Sequence, residues 1–105
     1  MPDYVVDQKD KQGLVTLTGN LTATLVPALQ TTLQGVLEGG VDELVFDLAK
    51  TTMLDSSGMG LLIAAANSLS RRSGRIRVIN VSPDILHLLQ SMRLVSRLNV
   101  SGRTE

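Results

Sequence analysis

The chain has 105 residues, 43% of them hydrophobic and 19% charged, with no net charge; that suffices for one folded domain and is too little for two. Zero net charge supplies no overall field toward nucleic acid or a membrane surface, and aromatics at 2%, Tyr4 and Phe46, argue against a base-stacking surface. The absence of cysteine excludes disulfides, thiolate catalysis and Cys-based zinc sites.

Tyr4-Val5-Val6, then Lys11-Gln12-Gly13, reads as a strand and a turn. Leu14 to Gly19 alternates apolar and polar residues, as a half-buried strand does, so an N-terminal hairpin is expected. The period then changes. Leu25, Leu29, Leu33, Val36 and Leu37 recur at helical spacing, with Thr22 or Thr24 available as a cap and Pro27 tolerable only in the first turn. Gly39-Gly40 ends that helix. Leu44-Val45-Phe46, inside Val41 to Leu48, is an unbroken apolar run of the kind found in a strand buried on both faces.

Asp55-Ser56-Ser57-Gly58 opens a second helix whose apolar stripe is Leu62, Ala65, Ala66 and Leu69; Arg71-Arg72 and Gly74 close it. Arg75 to Val81 alternates as a further strand, with Ile76, Val78 and Asn80 on one face. Ser82-Pro83 begins a third helix, a capping hydroxyl followed by proline at the first helical position. Its inner stripe is Ile85, Leu88, Leu89 and Met92, and Leu98 with Val100 makes a last edge strand. A frayed tail is expected over 101–105. The order predicts one α/β domain spanning 1–105, a mixed four- to five-stranded sheet with about three helices.

The longest apolar run, Gly58 to Ala66, is nine residues, against about 20 for a membrane span. Met1-Pro2-Asp3-Tyr4 shows neither a basic region nor an apolar signal core. A cytoplasmic location with no membrane partner is the expectation. Residues 1–55 carry eight acids and three bases, and residues 56–105 seven bases and two acids. This asymmetry reads as scattered solvated charge.

Enzyme readings meet obstacles. Ser56 and Ser57 are possible nucleophiles, yet an activated serine needs a base. His87 is the only histidine, and its place beside the inner stripe of the third helix reads as a partly exposed surface position. Leu54-Asp55-Ser56-Ser57-Gly58 lacks the first glycine of a Gly-x-Ser-x-Gly elbow, and no G-x-x-x-x-G-K-[ST] loop occurs. Asp47 and Asp55 flank one loop, but two carboxylates are too few for a metal site. Neither metal nor cofactor is expected.

The informative stretch runs from Asp47 to Leu62: a strand, a polar loop, two hydroxyls and two glycines before a helix. Local structure alone explains part of it. Asp55, Ser56 or Ser57 serves as the N-cap, and Gly58 and Gly60 let the helix pack closely on the sheet.

Asp47-Leu48, six residues, then Asp55-Ser56-Ser57-Gly58-Met59-Gly60-Leu61-Leu62 resembles the signature of anti-sigma factor antagonists, single-domain members of the STAS superfamily. Leu17-Thr18-Gly19-Asn20-Leu21 is similar to the family's strand-ending Gly-x-Leu segment. Arg77 to Val81 with Ser82-Pro83 resembles its later strand and helix start, and Leu88-Leu89 to Leu94 its closing Leu-rich helix. The resemblance implies Ser57, directly before Gly58, as the phosphoacceptor, with Asp55 in the family's acidic position. It implies a partner surface of Asp55, Ser56, Ser57, Gly58, Met59 and Thr22, where Thr22 stands in place of an acidic residue common in the family. The implied partners are an anti-sigma factor serine/threonine protein kinase and a serine phosphatase, with no direct contact to nucleic acid. A STAS scaffold subunit of a lipid-transport or stress-signalling assembly is the second reading, and an intrinsic hydrolase a distant third.

Overall fold

The computed structural model describes residues 3–103. Strands β1 (Tyr4–Lys9) and β2 (Gln12–Leu17) form the expected antiparallel hairpin, in register from Tyr4 opposite Leu17 to Lys9 opposite Gln12. Asp10 turns the corner with φ 55°, a left-handed conformation that Asp tolerates better than most residues. After the hairpin the chain advances one strand at a time. Strands β3 (Glu43–Asp47), β4 (Arg75–Val81) and β5 (Val100–Gly102) each pair parallel to the strand before, giving the order β1-β2-β3-β4-β5.

Parallel neighbours require crossovers, and these carry the helices: α1 (Val26–Glu38), α2 (Ser56–Ser70), then α3 (Pro83–Ser91) with the single-turn α4 (Val95–Leu98). Right-handed crossovers that always step the same way put the helices on one face. Burial agrees. Val15, Leu17, Leu44, Phe46, Ile76 and Val78 belong to one core cluster with Leu29 and Leu33 of α1 and Leu62, Ala65, Ala66 and Leu69 of α2. Val45 is also buried but stands outside that cluster. It points to the opposite face, next to Leu14 and Arg77 in the flanking strands. The apolar run Leu44-Val45-Phe46 is thus buried for two different reasons.

Several local expectations are corrected. Neither Thr22 nor Thr24 caps α1 through its side chain: the N-cap is Leu25, and the Thr22 carbonyl accepts the Leu25 and Val26 N–H groups at 2.9 and 3.1 Å. A turn feeds directly into the helix, with Pro27 in its first turn as expected. Asn80 does not continue the inner face of β4. It adopts φ 59° at a bulge, the register to β5 shifts between Val78 and Val81, and Val81 takes the buried position. Met92 is 53% exposed, because α3 ends at Ser91 and the left-handed Arg93 redirects the chain; Leu94 and Leu98 fill the core there. Leu98 closes α4 and is not in a strand. Ser101 and Gly102 belong to β5, where Gly102 pairs with Val81, so the tail is structured that far; residues 104–105 lie outside the described ones.

Candidate functional site

Two loops leave the same edge of the sheet, one after β2 and one after β3. Polar side chains bind them together. The Asn20 Oδ1 accepts three hydrogen bonds, from Thr52 N, Thr52 Oγ1 and Met53 N, each at 3.0 Å. Thr51, fully buried, donates its hydroxyl to the Gly19 carbonyl at 2.7 Å. Leu21 and Leu54 form a parallel bridge, with Leu21 N donating to Met53 O at 3.2 Å. The polar loop of the sequence is therefore a fixed platform, and Met53 stands on it 54% exposed.

Asp55 completes the platform and starts α2. Its extended backbone makes it the N-cap. One carboxylate oxygen accepts the Gly58 N–H and the other the Ala23 N–H, both at 2.9 Å. These N–H groups favour the charged form, so the carboxyl sits below its ordinary value of 3.8, with Gly58 the larger cause. Gly58 is needed for packing. A β-carbon there would lie 2.4 Å from the Leu21 carbonyl oxygen and 2.7 Å from Leu54 Cδ1. The first turn of α2 therefore rests on backbone, which fixes the height of Ser57. Gly60 has a different role from the expected close packing: a β-carbon there would meet nothing within 4 Å.

Ser57 is half-buried, whereas Ser56 is exposed. Ser57 lines the mouth of a groove of about 340 Å³ between α1 and α2, with Val26, Gln30, Gln34, Gly60 and Ala64 among its walls. Among the described residues, no charged one lines this groove. Ser57 is the second residue of α2, where backbone N–H groups lack helical acceptors and the helix dipole favours an anion. Such a helix start tolerates an anion in general. His87 is exposed on α3, and among the described residues neither serine hydroxyl hydrogen-bonds to a base.

Asp47 accepts the Ala49 N–H at 3.0 Å and the Asn80 amide at 3.1 Å, so its work is to hold its own loop. Among the described residues no cluster of three or more His, Cys, Asp or Glu could hold a metal ion, and no helix is long and apolar enough to cross a membrane.

Residues 4–100 match the family described as "Mlab, STAS domain". The chain belongs to the STAS domain family. It is 26% identical over 97 residues to an anti-sigma-B factor antagonist of Staphylococcus aureus, covering 92% of this chain and 90% of that protein. The fold is that of solved STAS relatives. A Bacillus SpoIIAA in its phosphorylated form superposes with a TM-score of 0.79 at 21% identity, covering 97% of this chain and 92% of that one. An anti-sigma factor antagonist from Mycobacterium paratuberculosis gives 0.79 at 23%, with 95% and 87% covered.

Within this STAS fold, Asp55, Ser56, Ser57, Gly58 and Met59 are one helical turn and its cap. Thr22 is close by, since Ala23 next to it bonds Asp55. The sequence reading missed Asn20, Thr51 and the exposed Met53. The signal for Asn20 was its type: short amide side chains in loops satisfy neighbouring backbone N–H groups. Which loop it would satisfy could not be read locally, because its partners lie 32 and 33 residues away.

Proposed function

We propose that this chain is an anti-sigma factor antagonist, a protein-binding module switched by phosphorylation of Ser57. Unphosphorylated, it binds an anti-sigma factor serine kinase and so releases the sigma factor. The kinase supplies ATP and the chemistry; phosphorylation ends the binding, and a serine phosphatase restores it. The chain contributes no catalytic residue. Its work is done in the cytoplasm, where sigma factors act.

One observation carries this reading: Ser57 sits at the N-terminus of α2 on a turn that Asp55 caps and Gly58 seats against Leu21. The turn that carries the hydroxyl is held in place, and among the described residues no base bonds to it, which suits a substrate for another enzyme. Asp55 is already committed to two backbone N–H groups and adds negative charge beside any phosphate. A phosphoserine brings about −1.5 to −2 further charges, which a partner surface must repel or desolvate. The exposed Met53 and the uncharged groove offer the apolar contact area around it. The test is incubation of the pure protein with its candidate kinase and ATP, followed by site mapping by mass spectrometry. Phosphate on Ser57 supports the reading; phosphate only on Ser56, or none, defeats it.

The second reading, a STAS scaffold subunit of a lipid-transport or stress-signalling assembly, draws on the family match, whose description is Mlab. It requires stable capture in such an assembly by a Ser57→Ala protein and by the wild type alike, with no kinase dependence.

A further inference from the structure

We infer that the end of the molecule opposite Ser57 carries a binding pocket for a small phosphate-bearing anion. A hollow of about 450 Å³ lies between the last turns of α2, the start of β4 and the α3–α4 corner. Its volume falls within the roughly 300–1,000 Å³ usual for small-molecule sites. Arg75, Arg93 and Arg97 reach it from three different segments, joined by Ser70, Ser96 and Asn99, and among the described residues no acidic one lines it. Along the 15 residues of α2 the two ends are about 20 Å apart at 1.5 Å per residue. The pocket is therefore separate from the serine site, and the inference does not depend on the switch.

Each arginine is held differently. Arg75 pairs through Nε with Glu43 at 3.0 Å, and its side chain is 64% exposed, so the terminal nitrogens remain open to another acceptor. Arg97 bonds through one terminal nitrogen to the Asn67 amide oxygen, which braces its fork against α2. Arg93 makes no side-chain hydrogen bond or ion pair among the described residues. Its backbone is left-handed, as at four other non-glycine residues among those described. Arg93 has φ 59° at the end of α3, with Arg93 N bonded to Gln90 O and Leu94 N to Leu89 O. Helices that end this way favour glycine, because a β-carbon is strained there. A left-handed arginine whose side chain lines a cationic hollow is a local cost consistent with a role for the guanidinium. The neighbouring Asn99 is also left-handed, at φ 50°, and its amide bonds to the Ile76 carbonyl, which fixes the floor.

Guanidinium forks match the spacing of oxygens on phosphates and give paired, charge-assisted hydrogen bonds. Arg93 and Arg97, which have no acidic partner among the described residues, together with the open terminal nitrogens of Arg75 and two hydroxyls alongside, suit a doubly charged phosphate group better than a single carboxylate. The ligand class is a phosphomonoester or diphosphate, whether free, on a nucleotide or on a lipid headgroup.

The experiment is isothermal titration calorimetry of the full chain with pyrophosphate, ADP and inorganic phosphate, and flotation with phosphatidylcholine vesicles containing phosphatidic acid. The expected result is a Kd below about 1 mM for at least one phosphate probe. The pattern among the arms names the source of the phosphate. Arg97→Ala should weaken binding at least about tenfold. Arg93→Gly is the more telling variant, because it should raise the melting temperature of the unliganded protein, relieving the left-handed backbone, while weakening binding by a similar factor. Lys50→Ala removes the same charge at the other end of the molecule and should bind as wild type does. No binding of any phosphate probe, equal losses in Lys50→Ala, or unchanged affinity in both arginine variants would overturn the inference. So would a glutamate-rich peptide binding tighter than pyrophosphate, which would make the hollow a docking site for an acidic protein segment.

Discussion

The Asp55 carboxylate accepts the backbone N–H of Ala23 at 2.9 Å, across 32 residues of sequence. With its other oxygen on Gly58 N, one side chain both caps α2 and ties that helix to the loop that leads into α1. Asp55→Asn should keep one of these bonds and turn the other into a meeting of two donors. The expected outcome is a lower melting temperature and faster amide exchange at Ala23 or Gly58, measured by hydrogen exchange.

The same carboxyl sets a pH dependence. Its folded value lies below the ordinary 3.8. Its contribution is therefore fully present above 3.8 and is lost as pH falls through the lower folded value. Melting curves taken between about pH 5 and pH 2 should fall less steeply for Asp55→Asn than for wild type. Parallel curves would show that Asp55 does not carry this part of the acid transition.

Two glycines in one turn should respond in opposite directions. Gly58→Ala places a β-carbon 2.4 Å from a backbone oxygen, which cannot rotate away. The loss should be about 1–3 kcal/mol in urea denaturation, with Ser57 displaced. Gly60→Ala meets open space and should gain about 0.5–1 kcal/mol from helix propensity alone. Equal effects would mean that α2 does not rest on Leu21.

In the core, Leu44 is fully buried on the helical face of β3. Leu44→Ala should cost about 2–5 kcal/mol. Leu44→Asp should leave the chain unfolded at room temperature by circular dichroism, because an unpaired carboxylate would be buried.

The switch itself predicts that Ser57→Ala retains kinase binding but resists phosphorylation, while Ser57→Asp folds normally and binds weakly. A loss of about 3 kcal/mol weakens binding more than a hundredfold, enough for a switch. Affinity measurements on both variants, alongside the phosphorylated protein, decide this. Equal affinity before and after modification of Ser57 would end the switch reading.

Much of this molecule follows from the chain alone. Alternation in Leu14 to Gly19, the run Leu44-Val45-Phe46 and the stripe Leu62, Ala65, Ala66, Leu69 determine strand or helix and which side faces inward, because side-chain direction is a local property of the backbone period. Pro27 and Ser82-Pro83 mark helix starts for equally local reasons, proline's missing N–H and a hydroxyl within reach of Ile85 N. Asp55-Ser56-Ser57-Gly58 is legible as a helix start, and Ser57 as its candidate hydroxyl, on the same terms. Tertiary structure decided what these pieces meet. That Asn20 would hold Thr52 and Met53, that Asp55 would reach Ala23, and that Gly58 and not Gly60 would lie against Leu21 all depend on two loops brought to one edge by parallel pairing of β2 with β3. The same holds for Met92 and Asn80, whose periodic positions pointed inward until a left-handed residue changed the direction of the chain. Periodicity fixes direction only while the backbone stays regular; contacts between distant loops, and turns taken at single residues, are set by the packing of the whole.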